Sequence, residues 1–169
     1  NREYVPLDKI SPVMRQAQIA IEDNRFYSHG AIDLRGTMRA LVSNMGGAST
    51  QGGSTLTQQY VKQARIEMAV SAGDEEGVRS AQEQTVSRKL QELRYAIALE
   101  HDLSKDQILE RYLNIAYYGD GAYGVEAAAK HYFGVTADKL DLGQAAMLAG
   151  LVQNPVSYDP VNNPEAAIT

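Results

Sequence analysis

Three clusters in this chain combine residue types and spacings that can do chemistry. The first is Glu22-Asp23-Asn24-Arg25-Phe26-Tyr27-Ser28-His29, directly after the apolar Ile19-Ala20-Ile21. A carboxylate placed where an apolar helix ends at a cleft holds its proton more readily and can serve as acid or base. The same residues also read as an exposed helix-end carboxylate with Phe26 and His29 packed below it. The second cluster is Gly52-Gly53-Ser54-Thr55-Leu56-Thr57-Gln58-Gln59-Tyr60-Val61-Lys62. Two glycines let a backbone approach a ligand, and a helix start offers free N–H groups. Ser54, Thr55, Gln59 and Lys62 add donors for a phosphate or a sugar, with Thr55, Gln59 and Lys62 at helical spacing. The Gly-Lys-Ser/Thr ending of a nucleotide-binding loop is missing, and a Gly-rich turn with a polar helix face is the plain alternative.

The third cluster is Arg88-Lys89-Leu90-Gln91-Glu92, whose charged members share one helix face. Such a stripe is ordinarily a solvated set of salt bridges worth a few tenths of a kcal/mol. Its functional reading is a diphosphate site, with Arg88 as a forked donor and Lys89 as a point charge. Glu92 would then orient them or hold a divalent metal. His29, His101 and His131 share no metal-ligand spacing, so a zinc site is not expected. The tyrosines of Tyr117-Tyr118-Gly119-Asp120-Gly121-Ala122-Tyr123-Gly124 either line a glycan groove or pack at a bend between helices.

The elements that must position these residues read as helices. Ser11-Pro12 pairs an N-cap with Pro at the first helical position, opening a helix to about Asp23. Leu34 to about Val42 forms another helix, followed by a small polar loop over 44–53. Ser54 or Thr55 caps a helix through Gln59 and Lys62. Residues 65–84 are acidic with Gly73 and Gly77, and read as an inserted surface excursion. A long helix is expected from about Gln82 to His101, with an apolar stripe of Val86, Leu90, Leu93 and Ile97. Ser104-Lys105-Asp106-Gln107 fits a capping box. Gly134 suits a helix C-terminus, and Asp141 caps a last helix from Leu142 to Leu151. The expected fold is a single all-α domain over residues 1–169.

Bulk properties bound the partners. The chain has 169 residues, 44% apolar and 22% charged, which is globular rather than disordered. Sixteen Lys+Arg against 21 Asp+Glu leave a net charge of -5, so no nucleic acid is expected and any anion must meet a local cluster of cations. With no cysteine, disulfides and thiol chemistry are excluded. No apolar run approaches the roughly 20 residues that cross a bilayer. The abrupt start at Asn1 and the Pro/Asn-rich end read as a segment excised from a longer, membrane-anchored protein.

Taken in order, these segments resemble the glycosyltransferase (transglycosylase) domain of class A penicillin-binding proteins and monofunctional peptidoglycan glycosyltransferases. Glu22-Asp23-x-x-Phe26-x-x-His29 is similar to that family's first motif, Gly52 to Gln59 to its second, and Arg88-Lys89-x-x-Glu92 to its third. Ile108 to Asn114, with Tyr118-Gly119 and Tyr123-Gly124-Val125, is similar to the fourth. Ala145-Ala146-x-Leu148-Ala149-Gly150-Leu151-x-Gln153-x-Pro155 with Tyr158-x-Pro160 is similar to the fifth. The sequence departs from the family at Ala31 and Gln144, where glycine and glutamate are usual, and in the length of 65–84. A structural role is expected for Gln144.

The resemblance implies a lysozyme-like, mainly helical fold with a large lobe and a smaller membrane-facing jaw, for which Met38, Leu41, Val42 and Met45 offer apolar contact. It implies action on lipid II at the outer face of the bacterial cytoplasmic membrane, giving β-1,4-linked glycan, and inhibition by moenomycin. Glu22 and Glu92 would be catalytic. Asp23, Phe26, His29, Ser54, Thr55, Gln59, Lys62, Arg88 and Lys89 would bind substrate. Mg²⁺ or Mn²⁺ at Glu92 is a further expectation, with no organic cofactor, and a transpeptidase domain would share the full-length chain. Two rivals remain on the residues alone: a lysozyme-like glycan-cleaving enzyme and a non-catalytic wall-binding module.

Overall fold

Local start and stop signals account for most helix boundaries. The computed structural model describes residues 3–30, 54–83 and 85–153. Its α-helices are α1 (Pro12–Glu22), α2 (Leu56–Ser71), α3 (Glu75–Gln82), α4 (Val86–Asp102), α5 (Lys105–Ile115), α6 (Val125–Phe133) and α7 (Leu142–Gln153). Two 3₁₀ turns, Leu7–Lys9 and Ala137–Lys139, and one antiparallel bridge between Tyr117 and Tyr123 complete the regular structure. The described residues are thus all-α, as expected. The helix and loop expected over 34–53, the apolar residues assigned to the jaw, Gly52, Gly53, Ala31 and the end of the fifth motif from Pro155 lie outside the described residues.

Contacts divide the chain into two compact units: Asn1–Asn24 with Leu109–Thr169, and Arg25–Ile108. In the first unit α1 packs against α7. The segment before α1 is held by side chains of α5, which stand in for a neighbouring strand. Val5 N–H donates to Asn114 Oδ1 at 2.8 Å, and Asn114 Nδ2 donates to the Val5 carbonyl at 2.8 Å. Leu7 N–H donates to Glu110 Oε1 at 2.7 Å. Gly124 is required where it stands: its φ is +86°, and a Cβ there would meet the Asn114 carbonyl oxygen at 2.7 Å. Gly134 ends α6 in the left-handed conformation.

The capping box expected at Ser104 forms. Ser104 N–H donates to Gln107 Oε1 at 2.9 Å, and Gln107 N–H to Ser104 Oγ at 3.2 Å. Asp141 and Gln144 make the same reciprocal pair at 3.1 and 2.8 Å, so Gln144 has the structural role expected of it. Ser11 precedes Pro12 as expected but its hydroxyl makes no cap bond. Its carbonyl accepts from Met14 and Arg15 instead.

In the second unit α2 packs against both α3 and α4, around Val61, Leu93 and Ala96. Here the structure corrects three expectations. Residues 65–83 lie largely at the surface, as expected, but as helix beyond the expected end of α2: α2 continues to Ser71, Gly73 turns the chain at φ +69°, and α3 follows. Asp74 caps α3 by accepting from Gly77 N–H at 2.8 Å, and Glu, Arg and Gln favour the helix. The long helix starts at Val86 rather than Gln82, because Thr85 caps it through Arg88 N–H at 3.2 Å. Its buried face keeps Leu93 of the expected apolar stripe, with Ile97 packed beside it, but also takes in charged residues. Val86 is exposed and Leu90 and Ile97 are half-buried, whereas Arg88, Lys89, Glu92, Leu93 and Ala96 are buried.

Candidate functional site

The two units carry different kinds of candidate residue. In the first, α1 buries Met14 and Gln18 one turn apart, and Glu22 continues that series at the helix end. Glu22 is half-buried, with Oε1 out of solvent. It belongs to the Gln18 face, not to the face of Ile21, which is exposed. Asp23 leaves the helix with extended backbone while its N–H still donates to the Ile19 carbonyl at 2.8 Å. Beneath Glu22 lie two buried phenols tied to Gln18. Tyr118 O–H donates to Gln18 Oε1 at 3.2 Å, and Tyr112 is hydrogen-bonded to the same side chain. Burial pushes both phenols well above their ordinary value, and the charge of Glu22 pushes the same way. Both therefore stay neutral, so the side of Glu22 that meets them is uncharged.

Sequence reasoning missed Gln18, Tyr112 and Tyr118 as neighbours of Glu22. The available signal was helical spacing: Gln18 lies one turn before Glu22 on a helix whose Met14 is buried. Tyr117 and Tyr123, read as groove or bend residues, stack on each other with ring centroids 4.6 Å apart across the bridge. That is packing at a bend.

The second unit brings the second and third motifs together. Thr55 caps α2 by accepting from Gln58 N–H at 3.2 Å. Gln59 Nε2 turns back to the Ser54 carbonyl at 3.3 Å, which fixes the strap before the helix. Ser54 Oγ accepts from Lys89 Nζ, and Arg88 Nη1 pairs with Glu92 Oε2. Lys89 Nζ stands 3.6 Å from Glu92 Oε1. Arg88, Lys89 and Glu92 are only 8%, 9% and 1% exposed, which excludes the solvated salt-bridge reading of this motif. Burial pulls the Lys89 ammonium below its ordinary value; Glu92 opposes this, while Arg88 and Lys62 add to it. Lys62, half-buried on α2, thus joins the same cationic cluster.

Both oxygens of Glu92 face cations, and no group of three or more metal-ligating side chains occurs among the described residues. The donor set at Glu92 does not fit a divalent ion in this arrangement. Gln58, which was not singled out, is fully buried, and neither end of its carboxamide is hydrogen-bonded among the described residues. It fills the capping-box position after Thr55 without closing the box.

Phe26 and His29 also belong to the second unit. Phe26 is fully buried, and the His29 ring packs edge-on to it at 6.1 Å between centroids. Two residues that the sequence did not mark stand beside them. Lys105 Nζ lies 3.2 Å from His29 Nδ1 and 4.7 Å from the Phe26 ring centre, and it pairs with Glu100 at 2.8 Å. Glu100 also accepts from Thr57 Oγ1 at 2.6 Å.

Comparison with known proteins agrees with this arrangement of motifs. The sequence matches the transglycosylase family over residues 1–169. It is 44% identical over 168 residues to penicillin-binding protein 1A/1B of Bacillus subtilis, covering 98% of this chain and 17% of that protein. It is 43% identical to penicillin-binding protein 1A of Mycolicibacterium smegmatis, covering 99% of this chain and 20% of that protein. Penicillin-binding protein 2D of Bacillus subtilis is 40% identical, with 96% and 22% covered. The chain therefore spans about a fifth of the length of these relatives. With a described fold that is all-α and motifs in the family's order, the chain belongs to the transglycosylase family and is a peptidoglycan glycosyltransferase domain.

Proposed function

We propose that this domain polymerises lipid II into β-1,4-linked glycan, releasing undecaprenyl diphosphate, with Glu22 as general base. The observation that carries this reading is the buried set of Arg88, Lys89 and Glu92, joined to the start of α2 through Ser54. Cleaving a neutral glycosidic bond calls for no such cations, whereas a departing diphosphate does. Cations already fixed in place stabilise the charge that develops on the leaving group without reorganising.

The reaction joins a sugar 4-hydroxyl to an anomeric carbon bearing the lipid diphosphate. The hydroxyl proton passes to the Glu22 carboxylate as the new C–O bond forms. The bond to the diphosphate oxygen breaks, and its electron pair leaves with the diphosphate. An α-linked donor and a β-linked product correspond to one inverting displacement. A positioned base contributes about 10²–10⁴-fold to such a step. The neutral floor of Tyr112, Tyr118 and Gln18 supports the role of Glu22 by holding the end of α1. Lys62, Arg88 and Lys89 hold the diphosphate, Glu92 orients Arg88 and Lys89, and Ser54, Thr55 and Gln59 shape the strap beside them. Asp23 and His29 complete the substrate-binding set, with the buried Phe26 packed against His29.

The remaining expectations form part of the same proposal. In its full length the protein acts at the outer face of the cytoplasmic membrane, touching it through the segment between the first two motifs, and a transpeptidase domain shares its chain. No described helix is long and apolar enough to cross a membrane. Mg²⁺ or Mn²⁺, if required, would supply further counter-charge for the diphosphate, and EDTA tests that requirement. The test is lipid II consumption by wild type and Glu22→Gln, with and without EDTA, beside clearing of peptidoglycan. Polymerisation by wild type alone supports the reading. Clearing of peptidoglycan without use of lipid II would replace it with glycan cleavage. Displacement of bound lipid II by moenomycin is the second check.

A further inference from the structure

We propose that Glu100 and Lys105 are a positioning pair for glycosyl transfer, holding His29 as the neutral imidazole with its proton on Nε2. The inference rests on the proposed function and adds residues that lie outside the three clusters to which it assigns chemistry.

An ammonium has three donors and no lone pair. At 3.2 Å from Lys105 Nζ, His29 Nδ1 must therefore accept, which leaves the ring proton on Nε2. Lys105 is in turn fixed from two further sides. Glu100 lies 2.8 Å away, its side chain only 3% exposed, and the face of Phe26 lies 4.7 Å below. The second lone-pair site of Glu100 Oε1 is taken by Thr57 Oγ1 at 2.6 Å. The connection thus runs from α2 through Glu100 on α4 and Lys105 on α5 to His29, entirely within the second unit.

Helix α4 explains why Glu100 is in place. Arg88, Glu92, Ala96 and Glu100 recur every four residues and so lie on one face. Glu92 and Glu100 are separated along the axis by about 12 Å at the helical rise. Each meets a lysine, Lys89 or Lys105, and each level is tied to a hydroxyl of the second motif, Ser54 or Thr57. Helix α2 is therefore pinned to α4 at two heights: one at the cationic cluster, the other at His29. A buried ion pair adds little net stability over an apolar replacement, so what this pair secures is orientation.

The experiment records nitrogen-15 imidazole correlations in mildly alkaline buffer beside lipid II polymerisation, for wild type, Lys105→Met, Lys105→Arg and Glu100→Gln. Of the three histidines, His29 is assigned by its loss in His29→Gln. We expect the Nε2–H form in wild type and in Lys105→Arg, and a mixture of both neutral forms in Lys105→Met. We expect kcat to fall about tenfold in Lys105→Met with KM little changed, as for a misplaced group, and to recover largely in Lys105→Arg. Glu100→Gln keeps the shape and the Thr57 bond, and should show both effects in weaker form even where Lys105→Met folds poorly. An Nδ1–H imidazole in wild type overturns the proposal, as does wild-type kcat in both Lys105→Met and Glu100→Gln. A wild-type chain that leaves lipid II untouched sinks the function reading and the catalytic part of this one. The imidazole signature then decides the Lys105–His29 contact by itself.

Discussion

Glu22 and Glu92 are both helical glutamates in family motifs, yet their surroundings have little in common. Glu22 ends α1 above neutral groups: two phenols held protonated by burial and the carboxamide of Gln18. Glu92 sits inside α4 with Arg88 on one oxygen and Lys89 facing the other. The phenols beneath Glu22 stay neutral, so a proton taken up by the carboxylate strands no charge on that side. A carboxylate whose oxygens face two buried cations is suited to fixing them, because protonating it strands their charges. The difference teaches that the same residue type on the same kind of element takes its role from the charges packed against it.

That contrast can be broken experimentally. The largest effect is expected at Glu22→Gln: polymerisation should fall by about 10²–10⁴-fold, with melting temperature and lipid II binding little changed. Turnover near wild type would remove Glu22 as the base. Glu92→Gln should instead damage both properties, since breaking a buried pair on one side costs about 3–5 kcal/mol. The diagnostic is a joint fall in melting temperature and rate. A rate loss with unchanged stability would make Glu92 a direct participant in the chemistry rather than a holder of cations.

A smaller effect sharpens the first half of the comparison. Unfolded phenols ionise near pH 10, whereas folded Tyr112 and Tyr118 resist ionisation. Their contribution to stability is therefore full below about pH 10 and is lost as pH rises above it. Tyr118→Phe should flatten the alkaline limb of stability against pH in thermal melts, relative to its own value at neutral pH. An alkaline limb as steep as in wild type would show that Tyr118 ionises freely. The smallest effect is a control outside both sites. Asp141→Ala removes the cap of α7 and should cost about 1 kcal/mol with unchanged polymerisation, read by urea unfolding and by glycan synthesis.

Much of the framework was legible in the chain because its signals are local. Asp141 with Gln144, Ser104 with Gln107, Pro12 after Ser11 and Gly134 act within one helical turn, and a short sequence window contains both partners. The candidate site was legible as a list of residues for a different reason: the motif spacing places Arg88, Lys89 and Glu92 on one helix face whatever surrounds it. Whether that face meets solvent or protein depends on another helix. Of the apolar stripe Val86, Leu90, Leu93 and Ile97, Leu93 is buried and Ile97 packs beside it, but Val86 is exposed and the charged residues are buried as well. Charges can be buried here because Arg88 and Lys89 face Glu92 and Lys89 meets Ser54, a compensation that hydrophobic periodicity does not register.

The sequence by itself thus determined the helical class, most caps, the order of the motifs and hence the family. Tertiary structure alone decided that the charged side of α4 turns inward and that Gln18, Tyr112 and Tyr118 lie beneath Glu22. It also decided that Thr57, Glu100, Lys105 and His29 meet. The reason is physical: caps and helix faces follow from neighbours a few residues apart. Burial, proton placement and ion pairing depend on groups that the fold brings together from distant parts of the chain, such as His29 and Lys105.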